Sequence, residues 1–232
     1  MCCDGQRGRA GTATRRDLML AAVRRLPEDT QDVLRTASVG GQRTGRGLLA
    51  AVTGMGAGAL DGSLRPAVAG GVLVADEDSC AFRHALIGEA IHQDLLPCEH
   101  TSAHQRFAAA MEEDSSLVPA GCAAFEQAEH WQHAHDPARA LSSAWRAAAD
   151  AGRALACAEQ LAMLTRVLEL WPSVPDAEWR TGAGHAHVLR QAAEVADTAG
   201  QRQLGTALAA AARDGANPRQ ALLGTGAADE SC

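Results

Sequence analysis

A mainly α-helical fold is what this sequence predicts. Three observations lead there: alanine is abundant, tyrosine is absent and Val, Ile and aromatic residues are sparse, and apolar residues recur at helical spacing over most of the chain. Alanine has the lowest cost of entering a helix, whereas β-branched and aromatic residues favour strands. With 47% hydrophobic side chains in 232 residues, the chain can bury one large core or two small ones.

Residues 1–16 open with MCCDGQRGRAGTAT, which is Gly- and Arg-rich without apolar periodicity and is expected to be disordered. A helical pattern follows through Leu18, Ala21, Ala22 and Arg25 and stops at Pro27. It restarts with Glu28 and Asp29, acids suited to a helix N-terminus, ahead of Val33, Leu34 and Ala37. Gly40 and Gly41 end that helix, and Thr44 is placed as the N-cap of the next, which carries Leu48, Leu49 and Val52. A third helix fits Ala57 to Ala69 through Leu60, Leu64 and Val68, although Pro66 weakens it. Gly70-Gly71, the run VLVA, the acidic turn Asp76-Glu77-Asp78-Ser79 and the run CAF then read as a hairpin. Three helices followed by a two-stranded hairpin is the order of a winged-helix domain, expected over residues 17–96.

From His84 onward the pattern is helical. Ala85, Ile87, Ala90, Ile91 and Leu95 form one stripe that ends at Pro97; a second helix from Glu99 carries His104, Phe107, Ala108 and Met111. Residues 97–136 are expected to form a helical linker, and 137–214 a set of α-helical hairpins like tetratricopeptide repeats. With Pro172 as the terminal proline of such a repeat, Leu161, Leu164 and Val167 occupy second-helix positions and Ala147 and Ala148 the small first-helix positions. Gln160 and Cys157 depart from the pattern. Residues 176–199 read as one helix, and 215–232 as a flexible tail.

All 21 basic residues are arginine, which excludes Schiff-base lysines and the phosphate-binding lysine of a P-loop. Net charge is −7, and six arginines before residue 26 leave the remainder strongly acidic, a poor match for nucleic acid. Seven scattered cysteines without a CxxC pair suit a reduced chain, and no run approaches a membrane span or a signal-peptide core. A cytoplasmic location is expected.

The string FRHALIGEAIHQDLLP (Phe82 to Pro97) resembles the end of the ATPase module in large LuxR-type transcriptional regulators, a branch of the AAA-like (STAND-type) NTPases. LPEDTQDVLRTASVGGQ and GGVLVADEDSCAFRH upstream are similar to that family's winged helix. AEHWQHAHDPARAL and ACAEQLAMLTRVLELWP downstream are similar to the start of its tetratricopeptide region. The resemblance spans about residues 17–180. It implies a larger architecture of ATPase core, winged helix, repeats and C-terminal DNA-binding helix-turn-helix, of which this chain carries the middle. It also implies that His84, with Arg83 beside it, faces nucleotide phosphates when an ATPase core is present. ATP or ADP belongs to that full architecture, and no cofactor is expected in this chain alone.

The remaining candidates weigh less. Gly40 to Gly47 imitates GxxxxGK[ST], but Arg46 and Gly47 replace the lysine and hydroxyl, so a plain loop is expected. His130, His133 and His135 with Glu126 and Glu129 form the densest metal-like cluster, and His130, His133 and Glu126 can share a helix face. Surface histidines at a helical joint explain them equally, and no metal site is assigned. His100 and His104 form an i, i+4 pair without the glutamate of HExxH; His185 and His187 form a weaker pair. Arg83 has a plain alternative too, as a first-turn helix residue paired to an acid. The four tryptophans (131, 145, 171 and 179) are expected to anchor the core. Residues 28–96 hold nine acids against five arginines, and the hairpin tip is acidic, which argues against DNA contact.

The expectation is a non-enzymatic regulatory and scaffold segment. It would use its helical region to meet protein partners or an ATPase core, contact DNA only through a further domain, and not bind membranes. The alternatives are a free-standing winged-helix DNA-binding regulator and a helical-repeat protein-interaction adaptor.

Overall fold

The structure, a computed structural model, describes residues 15–214. The N-terminal stretch and the tail from Gly215 lie outside the described residues, except that Arg15 and Arg16, expected to be disordered, open the first helix. The chain is mainly helical with one small antiparallel sheet, and it divides into two compact units between Leu96 and Pro97. No helix among the described residues is long and apolar enough to cross a membrane.

The first unit runs α1 (Arg15–Val23), α2 (Glu28–Val39), β1 (Arg43–Gly45), α3 (Arg46–Thr53), α4 (Ala57–Ala69), β2 (Leu73–Ala75), β3 (Ser79–Phe82) and α5 (Ala85–Asp94). Pro27 stands at the N-cap of α2 with φ −52°, where its missing N–H costs nothing. Gly54 ends α3 at φ +69°, a left-handed position that a side chain would strain. Leu34, Leu49, Leu60 and Leu73 are fully buried together with Phe82 and Ile91, so helices and sheet share one core.

The sheet corrects the two-stranded expectation. Its strand order is β1-β3-β2, with Thr44 opposite Cys80 and Val74 opposite Ala81. Thr44 is therefore a strand residue and Gly45 the N-cap of α3. Likewise the segment Gly40 to Gly47 is not a plain loop. Three residues are too few for alternation to register, and β1 exists because β3 supplies its hydrogen bonds.

Gly88 explains part of the FRHALIG string. A Cβ built there would lie 2.7 Å from Cδ2 of Phe82, so the glycine lets α5 settle on that buried ring.

The second unit contains α6 (Pro97–Glu113), a 3₁₀ turn (Ser115–Leu117), α7 (Ala123–His133), α8 (Pro137–Arg153), α9 (Cys157–Leu170), a second 3₁₀ turn (Trp171–Ser173), α10 (Ala177–Thr181), α11 (His185–Thr198) and α12 (Arg202–Asp214). Each long helix packs on its neighbour in sequence, and α11 also packs on α9. The stretch 97–136 thus packs continuously with the hairpins that follow. The single helix expected over 176–199 is two: Gly182, at φ +64°, ends α10 before α11 starts.

Three connections repeat one turn. Between α7 and α8, α8 and α9, and α11 and α12, the middle residue is left-handed: His135 (φ 57°), Leu155 (φ 58°) and Gly200 (φ 81°). Each turn closes with the same backbone bonds, in which the third residue donates to a carbonyl five positions back: Asp136 to Trp131, Ala156 to Ala151 and Gln201 to Ala196.

Two substitutions test these contacts by urea unfolding. Gly88→Ala forces a methyl group into Phe82 and is expected to cost about 1–3 kcal/mol. Leu155→Gly removes an 85% exposed leucine from a left-handed position and is expected to stabilise by about 1 kcal/mol.

Candidate functional site

Arg83 and His84 lie where β3 gives way to α5, and both are exposed. Arg83 Nε donates to the Gly71 carbonyl at 3.0 Å and Arg83 N–H to the Val72 carbonyl, which ties the end of β3 to the turn before β2. Arg83 is thus not a first-turn helix residue. His84 has extended backbone and stands at the N-cap of α5 without a side-chain capping bond. Its ring is free of the helix it introduces.

The hairpin tip is held from the side. Asp76 accepts from Arg43 Nη1 at 2.6 Å, from Ser79 N–H at 2.7 Å and from the Ser79 hydroxyl. The Arg43 bond, then those from Ser79, hold its carboxyl down at about 2. Arg46 at the start of α3 pairs with Asp61 of α4. Two of the unit's cations are therefore already engaged by its own acids.

The densest gathering of chemistry-bearing side chains is in the second unit, where α6 lies against α7. His100 and His104 are one turn apart on α6, and His130 and His133 nearly one turn apart on α7. The packing brings both pairs together. Ring centroids of His104 lie 4.5 Å from His100, 4.9 Å from His130 and 4.6 Å from His133, and His100 lies 5.8 Å from His133. His104 is 6% exposed and central, whereas His133 is exposed, so the cluster reaches from core to surface.

Nδ1 of His104 and Nδ1 of His130 are 2.8 Å apart, a separation that needs a proton on one and a lone pair on the other. Burial, then repulsion from His133, pushes the His130 pKa down to about 4, and its ring stacks on Phe107. His130 is therefore neutral at pH 7. Glu126, one turn before it on α7, is shifted upward by burial.

The grouping differs from the one read in the sequence. Glu129 pairs with Arg166 of α9, and His135 sits in the α7–α8 turn, exposed and left-handed. His100 and His104 replace them, because register between two helices is set by packing across a nine-residue connection, Asp114 to Cys122. The available signal was two histidine pairs at helical spacing on successive amphipathic helices.

A cleft of about 810 Å³ lies between the Ser115–Leu117 turn, α7 and α8, lined in part by Met111, Val118, Gln127, Arg146 and Asp150. Arg146 donates to Gln127 Oε1 at 2.7 Å, and Arg153 at its edge pairs with Asp150. Of the tryptophans, Trp131 is a core anchor at 1% exposure, donating to Glu112 with Arg139 stacked 4.5 Å above it. Trp145 and Trp171 are half-buried, and Trp179 is 81% exposed, which corrects the expectation that all four are core. Trp179 belongs to the five-residue α10, whose buried residues are Ala177 and Thr181.

Family models, curated proteins and solved structures gave no match to this chain.

The His130 ring makes stability depend on pH. Its pKa falls from 6.5 unfolded to about 4 folded, so its contribution is complete above pH 6.5 and is lost as pH falls toward 4. The expected loss is up to about 3 kcal/mol by urea unfolding, and His130→Phe should flatten that slope. An unchanged slope in the variant would remove His130 as its source.

Proposed function

We propose that this chain is a regulatory and scaffold segment of a LuxR-type transcriptional regulator built on an AAA-like, STAND-type ATPase module. It couples nucleotide or ligand state to transcription control and performs no catalysis itself. The first unit is read as a winged helix: the order α2-β1-α3-α4-β2-β3, with β1 beside β3 in the sheet, supports this. The hairpins joined by one recurring three-residue turn support a tetratricopeptide-like second unit.

The observation that carries a protein-facing role over a DNA-reading one is electrostatic. In α4, the helix that would enter a groove, the sole cation is Arg65, and the other exposed residues include Ala57, Gly58, Gly62 and Val68. The tip beside it is Asp76-Glu77-Asp78, and Val74 on β2 is 47% exposed. A phosphate backbone is repelled by that surface, whereas a protein surface is not. On this reading His84, exposed at the head of α5, is turned toward nucleotide phosphates contributed by an ATPase core, and the helical unit receives protein partners or small ligands.

A gel-shift series from 50 to 200 mM salt separates the readings. The expectation is no sequence-preferring complex with duplex DNA at any salt; a nanomolar, operator-specific complex with a steep salt slope would establish the free-standing DNA-binding regulator instead. The flanking genomic DNA supplies an independent check, with a P-loop ATPase frame expected upstream and a helix-turn-helix downstream. In that assembled regulator, His84→Ala should weaken ATP binding several-fold.

A further inference from the structure

We propose that the cleft between the Ser115–Leu117 turn, α7 and α8 binds a small organic acid, with its carboxylate on Arg146 and its apolar body against Met111, Val118 and Ala124. The inference stands on the cleft alone and goes beyond the regulatory reading, which neither requires it nor falls with it. At about 810 Å³ the cleft has the size of sites that take small molecules. Part of its rim is the nine-residue connection Asp114 to Cys122, in a unit where three other helix pairs close in three residues. The turn in that connection is fixed beforehand, because Asp114 accepts from the Ser116 N–H at 2.9 Å and from the Ser116 hydroxyl at 2.6 Å.

Arg146 gives the cleft its sign. Elsewhere in this unit, arginines that reach from one helix to another meet carboxylates, as Arg139 meets Glu112 and Arg166 meets Glu129. Arg146 instead donates to two neutral oxygens, Gln127 Oε1 at 2.7 Å and Ser143 Oγ at 3.1 Å, and pairs with no acid among the described residues. Both bonds leave from Nη2, so the N–H groups of Nε and Nη1 are uncommitted among the described residues. The two acids of the lining are taken: Glu112 by Trp131 and Arg139, Asp150 by Arg153. One cation is thus left for a ligand. Its holders are rigid, since Gln127 is 2% and Ser143 0% exposed, while Arg146 itself is exposed and open to solvent.

The remaining lining narrows the ligand class. One free positive charge suits a monoanion, whereas a phosphate dianion would also face the carboxylates of Glu112 and Asp150. Met111, Val118 and Ala124 are buried apolar side chains on the wall, so the ligand must bring hydrocarbon as well as charge. A monocarboxylate with an aliphatic or aromatic body of about ten non-hydrogen atoms meets both demands.

The test uses the full chain, labelled with carbon-13 at its methionine methyl groups. Hexanoate and phenylacetate are titrated in, with hexanamide and phenylacetamide as uncharged analogues and inorganic phosphate as a bare anion. At least one acid should shift the Met111 signal saturably at about millimolar concentration or below, with Met55 of the first unit unmoved. Its amide should bind about tenfold more weakly, and Arg146→Gln should close that difference by weakening the acid alone. Ala149→Glu puts a negative charge at an exposed position of the wall and should weaken the acid about tenfold, with Tm within about two degrees of the parent. If Arg146→Gln fails to fold, Ala149→Glu decides. The proposal is overturned if neither acid shifts Met111 saturably, if an amide or phosphate binds as tightly as the acid, or if Ala149→Glu leaves acid affinity unchanged.

Discussion

Alanine lines the contacts between the long helices of the second unit. Ala140, Ala144, Ala147, Ala148, Ala192, Ala193 and Ala196 are all buried, interleaved with Leu141, Leu164, Leu168 and Leu189. A methyl side chain lets two helices approach toward the short end of the usual 8–10 Å. It also removes little apolar area per residue, so no single helix here carries enough buried surface to stand alone. Each must lie on its neighbour, and the chain answers with hairpins in series. The three matching left-handed turns follow from that need, since close antiparallel neighbours require short connections. Gly152 and Gly205 serve the same closeness, their missing side chains making room for Gln160 and Asp197.

The α6–α7 joint departs from that pattern, and the departure is where polar chemistry collects. Beside Ala108, the interface carries His104 and His130 together with Phe107 and Trp131. An imidazole can sit there only if its nitrogens are satisfied and its charge is absent, which is why His130 is held neutral and shares a proton with His104.

The first unit solves a different problem: fifteen buried residues from helices and sheet form one core under a three-stranded sheet of very short strands. Such strands hold only because both neighbours of β3 are present and because Arg43, Asp76 and Ser79 clamp the tip. Beside that ion pair, Glu77 and Asp78 keep the tip acidic. The regulatory reading rests on this sign, and on the contrast between α4, a smooth helix of small residues, and the basic face that DNA requires.

Much of the fold was legible from the sequence because helical periodicity and Gly/Pro punctuation are local signals. The helix Ala57–Ala69 and the stops at Pro27 and Gly40 could be read directly, and so could the hairpin built on VLVA and CAF. What only the tertiary structure decided is non-local. Strand β1 has no pattern of its own and exists through its pairing with β3. Leu155 in a left-handed turn and Trp179 on the surface defy their residue types: turn closure outweighs propensity at Leu155, and α10 buries Ala177 and Thr181 instead of Trp179. The four-histidine cluster is the clearest case. Each pair was visible as a spacing, but which helix faces meet is set by packing between α6 and α7, and no spacing along one chain encodes that register.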